Sequence, residues 1–165
     1  MEKRPLPEEF KEFIKCLNSN NVKYLLVGGW AVGIYGHPRL TKDIDFLVST
    51  DENNLKKLQK AFLEFGSPPI DINAFKEEGY VIRMGNSPTQ IEVINRASGI
   101  NISDCFFRKN IINVDDIEIM LISKKDLITN KRTAGRDQDI ADANKLENIN
   151  NKNGINGGRK STTPP

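Results

Sequence analysis

A short apolar run that ends in two glycines constrains the fold of this chain more than any other feature. Residues 23–27 (KYLLV) stop at Gly28-Gly29, which predicts a buried strand followed by a helix over residues 30–35. Such a turn exposes backbone N–H groups at a helix N-terminus, where a phosphate can bind. A plain tight turn would explain a Gly-Gly pair equally well, so the turn alone does not establish a phosphate site.

Two carboxylates follow on the next predicted strand, residues 43–48. Asp43 and Asp45 are two residues apart, so on a strand their side chains point to the same face. They repel each other unless a cation lies between them, and ligands that are all oxygen favour Mg²⁺ or Mn²⁺ over zinc. A solvated strand face is the alternative. The metal site is favoured because Asp43 follows the Gly28-Gly29 turn by only 14 residues.

A third candidate carboxylate is Glu92, which interrupts the otherwise apolar strand predicted over residues 91–95. Because unpaired burial of a charge is costly, Glu92 either lies on an exposed edge face or has a functional partner. In the functional interpretation it completes the metal site and serves as, or orients, the base that deprotonates an acceptor hydroxyl.

Basic residues near Gly135 are candidates for binding a triphosphate. Lys131 and Arg136 flank this break between two predicted helices, and both could reach inward. The second helix carries Asp139 and Asp142 on one side, where they either orient these cations or form ordinary surface ion pairs.

Hydrophobic periodicity and turn residues predict a mixed α+β fold with a small central sheet flanked by helices. A helix capped by Ser49 and Glu52 is expected to end at Gly66, and Ser123 with Asp126 is expected to cap another. The remaining predicted helices are 7–17 and 136–147, and the remaining predicted strands are 80–84, 111–114 and 117–122.

Composition limits the class of protein. The 165 residues carry a formal net charge of +2, which neither supports nor excludes a nucleic-acid partner. The two cysteines form no metal-binding cluster, and no segment has the apolar length of a signal peptide or membrane span, so a cytoplasmic protein is expected. We predict one domain over residues 1–147 and, because residues 148–165 are polar and rich in Asn and Gly, a disordered tail.

Three segments together resemble the DNA polymerase beta-like nucleotidyltransferase superfamily. They are VGGWAVGIYGHPRLTKDIDFLV, with its strand, Gly-Gly turn, helix and Asp-x-Asp strand, then QIEVINRAS, with the third carboxylate, and finally LISKKDLITNKRTAGRDQDIADANKL. The resemblance spans roughly residues 20 to 147. It is strongest to a small bacterial and archaeal branch related to abortive-infection and toxin-type enzymes.

The resemblance implies a nucleotidyltransferase-like fold and a reaction that transfers a nucleoside monophosphate from an NTP to an acceptor hydroxyl with Mg²⁺ or Mn²⁺. The acceptor would be an RNA such as a tRNA 3′ end, a protein or a small molecule. An antitoxin or a helical partner protein is also implied. The resemblance implies that Asp43, Asp45 and Glu92 hold the metal and that Gly28, Gly29 and Lys131 contact the nucleotide. Arg136 is a further nucleotide-binding candidate because of its position beside Gly135.

One departure from the family pattern keeps a second function open. Gln138 stands where a lysine usually precedes the aspartate that corresponds to Asp139. The loss of this cation would suit a non-catalytic nucleotide-binding module. The short chain also suits one subunit of a two-component complex, in which a partner supplies the acceptor site.

Overall fold

The computed structural model describes residues 5–157, with side chains through residue 149. Its helices are α1 (Glu8–Ser19), α2 (Gly28–Ile34), α3 (Glu52–Phe65), α4 (Ile102–Cys105), α5 (Lys124–Ala134) and α6 (Asp137–Gly157). Its strands are β1 (Tyr24–Val27), β2 (Asp43–Val48), β3 (Val81–Met84), β4 (Gln90–Ile94), β5 (Asn110–Val114) and β6 (Ile117–Leu121).

All six strands form one mixed sheet in the order β3-β4-β2-β1-β6-β5. The β2–β4 and β1–β6 pairs are parallel, and the other neighbouring pairs are antiparallel. The predicted α+β class with a small mixed sheet is therefore confirmed. In this order β2 lies between β1 and β4, which brings the predicted acidic strands side by side.

Alternation along β2 separates the hydrophobic core from the acidic face of the sheet. Ile44, Phe46 and Val48 are fully buried, whereas Asp43 and Asp45 point to the opposite face. On the core side, the ring of Phe13 from α1 packs 5.4 Å from the ring of Phe46. Burial of these side chains fixes the register of β2, since a slip of one residue would move the acids into the core.

Helix α2 begins earlier than predicted. It starts at Gly28 with Val27 as its N-cap, so the two glycines form the first turn of the helix and not a separate turn. The backbone φ of +73° at Gly28 explains the need for glycine at this boundary.

Helix α6 continues beyond the predicted start of the tail. Its backbone runs to Gly157, so the boundary expected at Asn148 does not coincide with a helix end. Adding a residue to an existing helix costs far less than nucleating one, which explains why polar, Asn-rich residues can continue it. The rest of the predicted tail, residues 158–165, lies outside the described residues.

The start of α3 also differs from prediction. Asp51, and not Ser49, is the N-cap, and its carboxylate accepts the Asn54 N–H at 2.8 Å. Ser49 instead donates its hydroxyl to Asp51. Gly66 ends the helix in the left-handed conformation, as predicted, and Ser123 caps α5 as predicted.

A buried amide connects this helix start to the ends of two strands. Asn54 accepts the Lys23 N–H at 2.7 Å, and its amide donates to the carbonyls of Lys23 (3.1 Å) and Ser49 (2.7 Å). One side chain therefore satisfies backbone groups next to β1 and β2.

Among the described helices, none combines the length and apolar character that would let it cross a membrane.

We predict that Asn54→Ala lowers the free energy of unfolding by about 2–3 kcal/mol, because it leaves buried backbone groups without partners. Chemical denaturation measures this value. The matched control is Asn53→Ala, since Asn53 is the exposed neighbour on the same helix turn. Equal stability of the two variants would contradict the prediction.

Candidate active site

Sheet register places three carboxylates next to one another on the acidic face. Asp45 on β2 is opposite Glu92 on β4, and Asp43 lies one step along β2 on the same face. One carboxylate oxygen from each of the three lies within 4.8 Å of the others. The structure therefore brings together the three acids that the sequence nominated from separate strands.

Burial and mutual repulsion both raise pKa values in this acid cluster. Burial raises the pKa of Asp43, and the charge of Glu92 raises it further. Burial also raises the pKa of Asp45, to about 8, with further contributions from the charge of Asp43 and from a hydrogen bond and charge at Glu92. Without a bound cation, the three groups cannot all be ionised at neutral pH at low cost.

The two glycines allow the neighbouring elements to approach this acid cluster closely. A Cβ at Gly28 would overlap with the carboxylate of Asp45, and a Cβ at Gly29 would overlap with the methyl group of Thr41. The N-cap of α2 is Val27, whose side chain has no acceptor, so it makes no cap hydrogen bond to the first turn. The glycines are thus needed for packing against β2, in addition to any contact with a phosphate.

A cavity of about 750 Å³ lies in front of the acids. This volume is in the range of small-molecule binding sites. The predicted site residues that line it are Gly28, Gly29, Asp43, Asp45, Lys131 and Arg136. Glu92 does not line the cavity; it lies in the acid cluster on the side toward β3.

Lys131 lies at the wall of this cavity and is paired with two buried acids. Its Nζ is 3.3 Å from a carboxylate oxygen of Asp139 and 3.3 Å from one of Asp142. Because these acids are only 2% and 0% exposed, the alternative of surface ion pairs is excluded for this lysine. Asp139 and Asp142 therefore orient the cation, as the first interpretation proposed.

Arg136 is held by the same acidic helix but remains exposed. Its Nε donates to Asp139 at 2.8 Å, while its side chain is 81% exposed. Burial disfavours ionisation of Asp139, but the hydrogen bond from Arg136 and the charge of Lys131 outweigh it, so the pKa of Asp139 is lowered. An ionised, doubly paired Asp139 keeps both cations at the cavity.

Sequence reasoning missed Arg39, which lies in the segment between α2 and β2. Its Nε and one terminal nitrogen donate to the two oxygens of Asp142 at 2.9 and 2.8 Å. Asp142 also accepts the side-chain amide of Gln138 at 3.0 Å. Arg39 and Asp142 are 103 residues apart in sequence, and no local pattern connects them.

This bidentate pair attaches the 36–42 segment to α6. Thr41, two residues after Arg39, then packs against Gly29 at the start of α2. The buried carboxylate of Asp142, which is paired with Arg39, Gln138 and Lys131, thus holds this wall of the cavity in place. Removing one partner of such a group is strongly destabilising, because a buried charge is left uncompensated.

The acid cluster fits a divalent cation. Its donors are all carboxylate oxygens, which suit Mg²⁺ or Mn²⁺. Burial and neighbouring negative charge raise the pKa values of Asp43 and Asp45, and a cation would favour the ionised form of both groups. No sulfur or imidazole ligand is among the residues of the cluster, which argues against zinc there.

We predict that Gly28→Ala disrupts the acid cluster, because alanine needs a strained positive φ and its Cβ displaces Asp45. Mn²⁺ binding, followed by electron paramagnetic resonance, should weaken at least about tenfold, the equivalent of about 1.4 kcal/mol. Gly33→Ala is the control in the same helix, since its Cβ would meet only the Pro38 backbone at 3.6 Å. Normal Mn²⁺ binding by Gly28→Ala would refute this assignment.

We also predict a pH-dependent gain in stability for Asp45→Asn. The folded-state pKa of Asp45 is about 8, against an ordinary value of 3.8, so the wild-type protein loses stability as the pH rises between these values. The loss is at most about 1.4 kcal/mol for each pH unit between the two pKa values. In EDTA, Asp45→Asn should therefore unfold at a higher temperature than wild type at pH 8 but not at pH 4.

A control of opposite sign is Asp51→Asn. The N–H of Asn54 and the hydroxyl of Ser49 lower the pKa of Asp51, so its carboxylate stabilises the protein above its folded pKa. This variant should show no gain at pH 8. A thermal midpoint for Asp45→Asn that follows wild type across the pH range would show that Asp45 carries no such strain.

Solved structures with the same fold are known. The chain is similar to the lincosamide antibiotic adenylyltransferase LnuA in its lincomycin-bound form, with 15% identity, a TM-score of 0.57, and coverage of 89% of this chain and 99% of that one. It is also similar to an antigenic nucleotidyltransferase-like protein from Paracoccidioides brasiliensis, with 15% identity, a TM-score of 0.50, and coverage of 88% and 78%. At this identity the likeness shows the fold alone, and it confirms the predicted nucleotidyltransferase-like fold.

Comparison of the sequence with known proteins and protein families identifies the family of this chain. No curated protein sequence matches the chain significantly. The family described as "Nucleotidyltransferase of unknown function (DUF6036)" matches residues 6–153, which include the acid cluster, the cavity and most of α6. This chain therefore belongs to that nucleotidyltransferase family.

Proposed function

We propose that this protein transfers a nucleoside monophosphate from an NTP to an acceptor hydroxyl in a reaction that depends on Mg²⁺ or Mn²⁺. The observation that carries this proposal is the convergence of three carboxylates within 4.8 Å at a cavity that also has lysine and arginine side chains in its wall. Phosphoryl transfer needs both the acidic cluster and the basic side chains, since it depends on positioning the phosphates and on neutralising their charge.

The metal ligands in this proposal are Asp43, Asp45 and Glu92. A divalent ion held there would neutralise phosphate charge and lower the pKa of the acceptor hydroxyl. The N–H groups of Gly28 and Gly29 would bind the terminal phosphates, because they lie at the N-terminus of α2, where the N-cap Val27 supplies no side-chain acceptor.

The basic residues of the cavity wall would orient the triphosphate. Arg136 is exposed and can turn toward a phosphate without breaking a buried pair. Lys131 is fixed by Asp139 and Asp142, so it would act as a positioned charge with little freedom to move. Both residues would neutralise the pyrophosphate as it leaves.

The reaction balances without a further co-reactant. The acceptor oxygen bonds to the α-phosphorus, the bond from that phosphorus to the bridging oxygen of the β-phosphate breaks, and pyrophosphate departs. Glu92 would take the acceptor proton or orient the water that takes it. Because the proposed reaction consumes an NTP, we propose that it takes place in the cytoplasm.

Three classes of acceptor provide the required hydroxyl: an RNA 3′ end, a protein side chain and a small molecule. The solved LnuA structure is described as a lincosamide antibiotic adenylyltransferase, which illustrates the third class on the same fold. An RNA or protein acceptor would suit a toxin that an antitoxin or helical partner protein controls. A transfer assay therefore has to offer acceptors of all three classes.

A binding module without turnover is the second candidate, and Gln138 is the residue that favours it. In the structure the amide of Gln138 donates to Asp142 and lines the cavity. It thus supports the acid that holds Lys131 and Arg39, while Lys131 and Arg136 still supply positive charge. Because positive charge remains at the cavity, catalysis stays the leading proposal.

We predict that the purified protein transfers label from an α-³²P-labelled NTP to one of these acceptors only when Mg²⁺ or Mn²⁺ is present. Asp43→Asn and Asp45→Asn should each lower the rate by about 100-fold or more, because charge at the transferred phosphate is no longer neutralised. Asp71→Asn is the control, since this exposed carboxylate is remote from the cavity and caps a local turn.

Calorimetry with the same nucleotides separates the two candidates. Metal-dependent NTP binding without any product would favour the binding module. Absence of metal-dependent NTP binding, or binding that Asp45→Asn leaves unchanged, would contradict both.

A further inference from the structure

An arginine lies at the outer end of the row of acids. Arg83 on the edge strand β3 is directly opposite Glu92 on β4, which is directly opposite Asp45 on β2. Residues directly opposite one another point to the same face of a sheet, so the register alone places Arg83 on the acidic face.

The contact between Arg83 and Glu92 is short. Arg83 Nε donates to Glu92 Oε2 at 2.6 Å, and the Glu92 side chain is only 17% exposed. A charge-assisted bond to one oxygen limits the rotation of the carboxylate, so the group is held before any cation binds. The same guanidinium also acts electrostatically on Asp43 and Asp45.

Arg83 lies at the β3 end of the row of acids and does not line the cavity. Lys131 and Arg136 line the cavity wall, whereas neither Arg83 nor Glu92 does. The arginine is 60% exposed, so it can leave Glu92 at little cost in buried contacts. From this position Arg83 can act on the acids without contacting a nucleotide in the cavity.

We propose that Arg83 is a positioning residue that fixes the orientation of Glu92 and competes with the divalent cation for the acid cluster. This inference rests on the proposed function, since it assigns a role within the same metal site. Arg83 supplies one positive charge to three carboxylates, which lowers the affinity for the cation while keeping the third carboxylate in place.

The two effects predict opposite changes in two measurements. Arg83→Gln removes the competing charge, so Mn²⁺ affinity, measured by electron paramagnetic resonance on the NTP-free protein, should rise by about three- to tenfold. The same variant leaves Glu92 unrestrained, so kcat should fall by about tenfold while KM for the NTP stays within twofold of wild type.

Two further variants sharpen the test. Arg83→Lys keeps the charge but loses the Nε–H, so its Mn²⁺ affinity should stay within twofold of wild type and its kcat should recover only in part. Arg132→Gln is the matched control, because Arg132 forms an ion pair with Glu147 and belongs to neither the acid cluster nor the cavity lining. Its Mn²⁺ affinity and kcat should equal those of wild type.

Failure of this inference differs from failure of the proposed function. If the wild-type protein binds no more Mn²⁺ than Asp45→Asn does, the proposed metal site itself is wrong. If the wild-type protein binds Mn²⁺ but Arg83→Gln binds it with unchanged or lower affinity, only the role of Arg83 is refuted. A rise in KM with kcat intact would also refute it, since Arg83 would then be a nucleotide-binding residue.

Discussion

Repulsion among three carboxylates on one face of the sheet is the interaction on which the site depends. The fold forces Asp43, Asp45 and Glu92 together because Ile44 and Phe46 fix β2 in the core and β4 pairs with it in parallel register. Burial, together with the charges of Asp43 and Glu92, raises the pKa of Asp45 to about 8. A protein keeps such a cluster at the expense of stability, which is typical of functional sites.

Positive charge is arranged around this cluster in two layers. Arg83 contacts Glu92 directly, whereas Lys131 and Arg136 lie across the cavity and are held by Asp139 and Asp142. The buried carboxylate of Asp142 also attaches the segment before β2 to α6 through Arg39. Residues as far apart in sequence as Val27 and Asp139 thus line one cavity, and the family match over residues 6–153 includes all of them.

Much of this site could be predicted from sequence because its chemistry is local. Period-two alternation placed Asp43 and Asp45 on one face, and a charge within an apolar run identified Glu92. The contacts of Arg39 and Arg83 could not be predicted, since they depend on which strands are neighbours and on a pair 103 residues apart. Helix boundaries were also less predictable. Gly28 and Asn148 both have low helix propensity, yet α2 begins at Gly28, where packing against β2 decides the conformation, and α6 continues through Asn148 by helix propagation.

The central claim is that the acid cluster and the cavity form a single site for a divalent cation and a nucleotide. A crystal structure with Mn²⁺ and a non-hydrolysable NTP analogue, with anomalous scattering recorded for manganese, tests it most directly. We predict an anomalous peak in contact with Asp43, Asp45 and Glu92, with the triphosphate between Gly28-Gly29 and Arg136. A triphosphate bound elsewhere, or no manganese at the three carboxylates, would contradict the account.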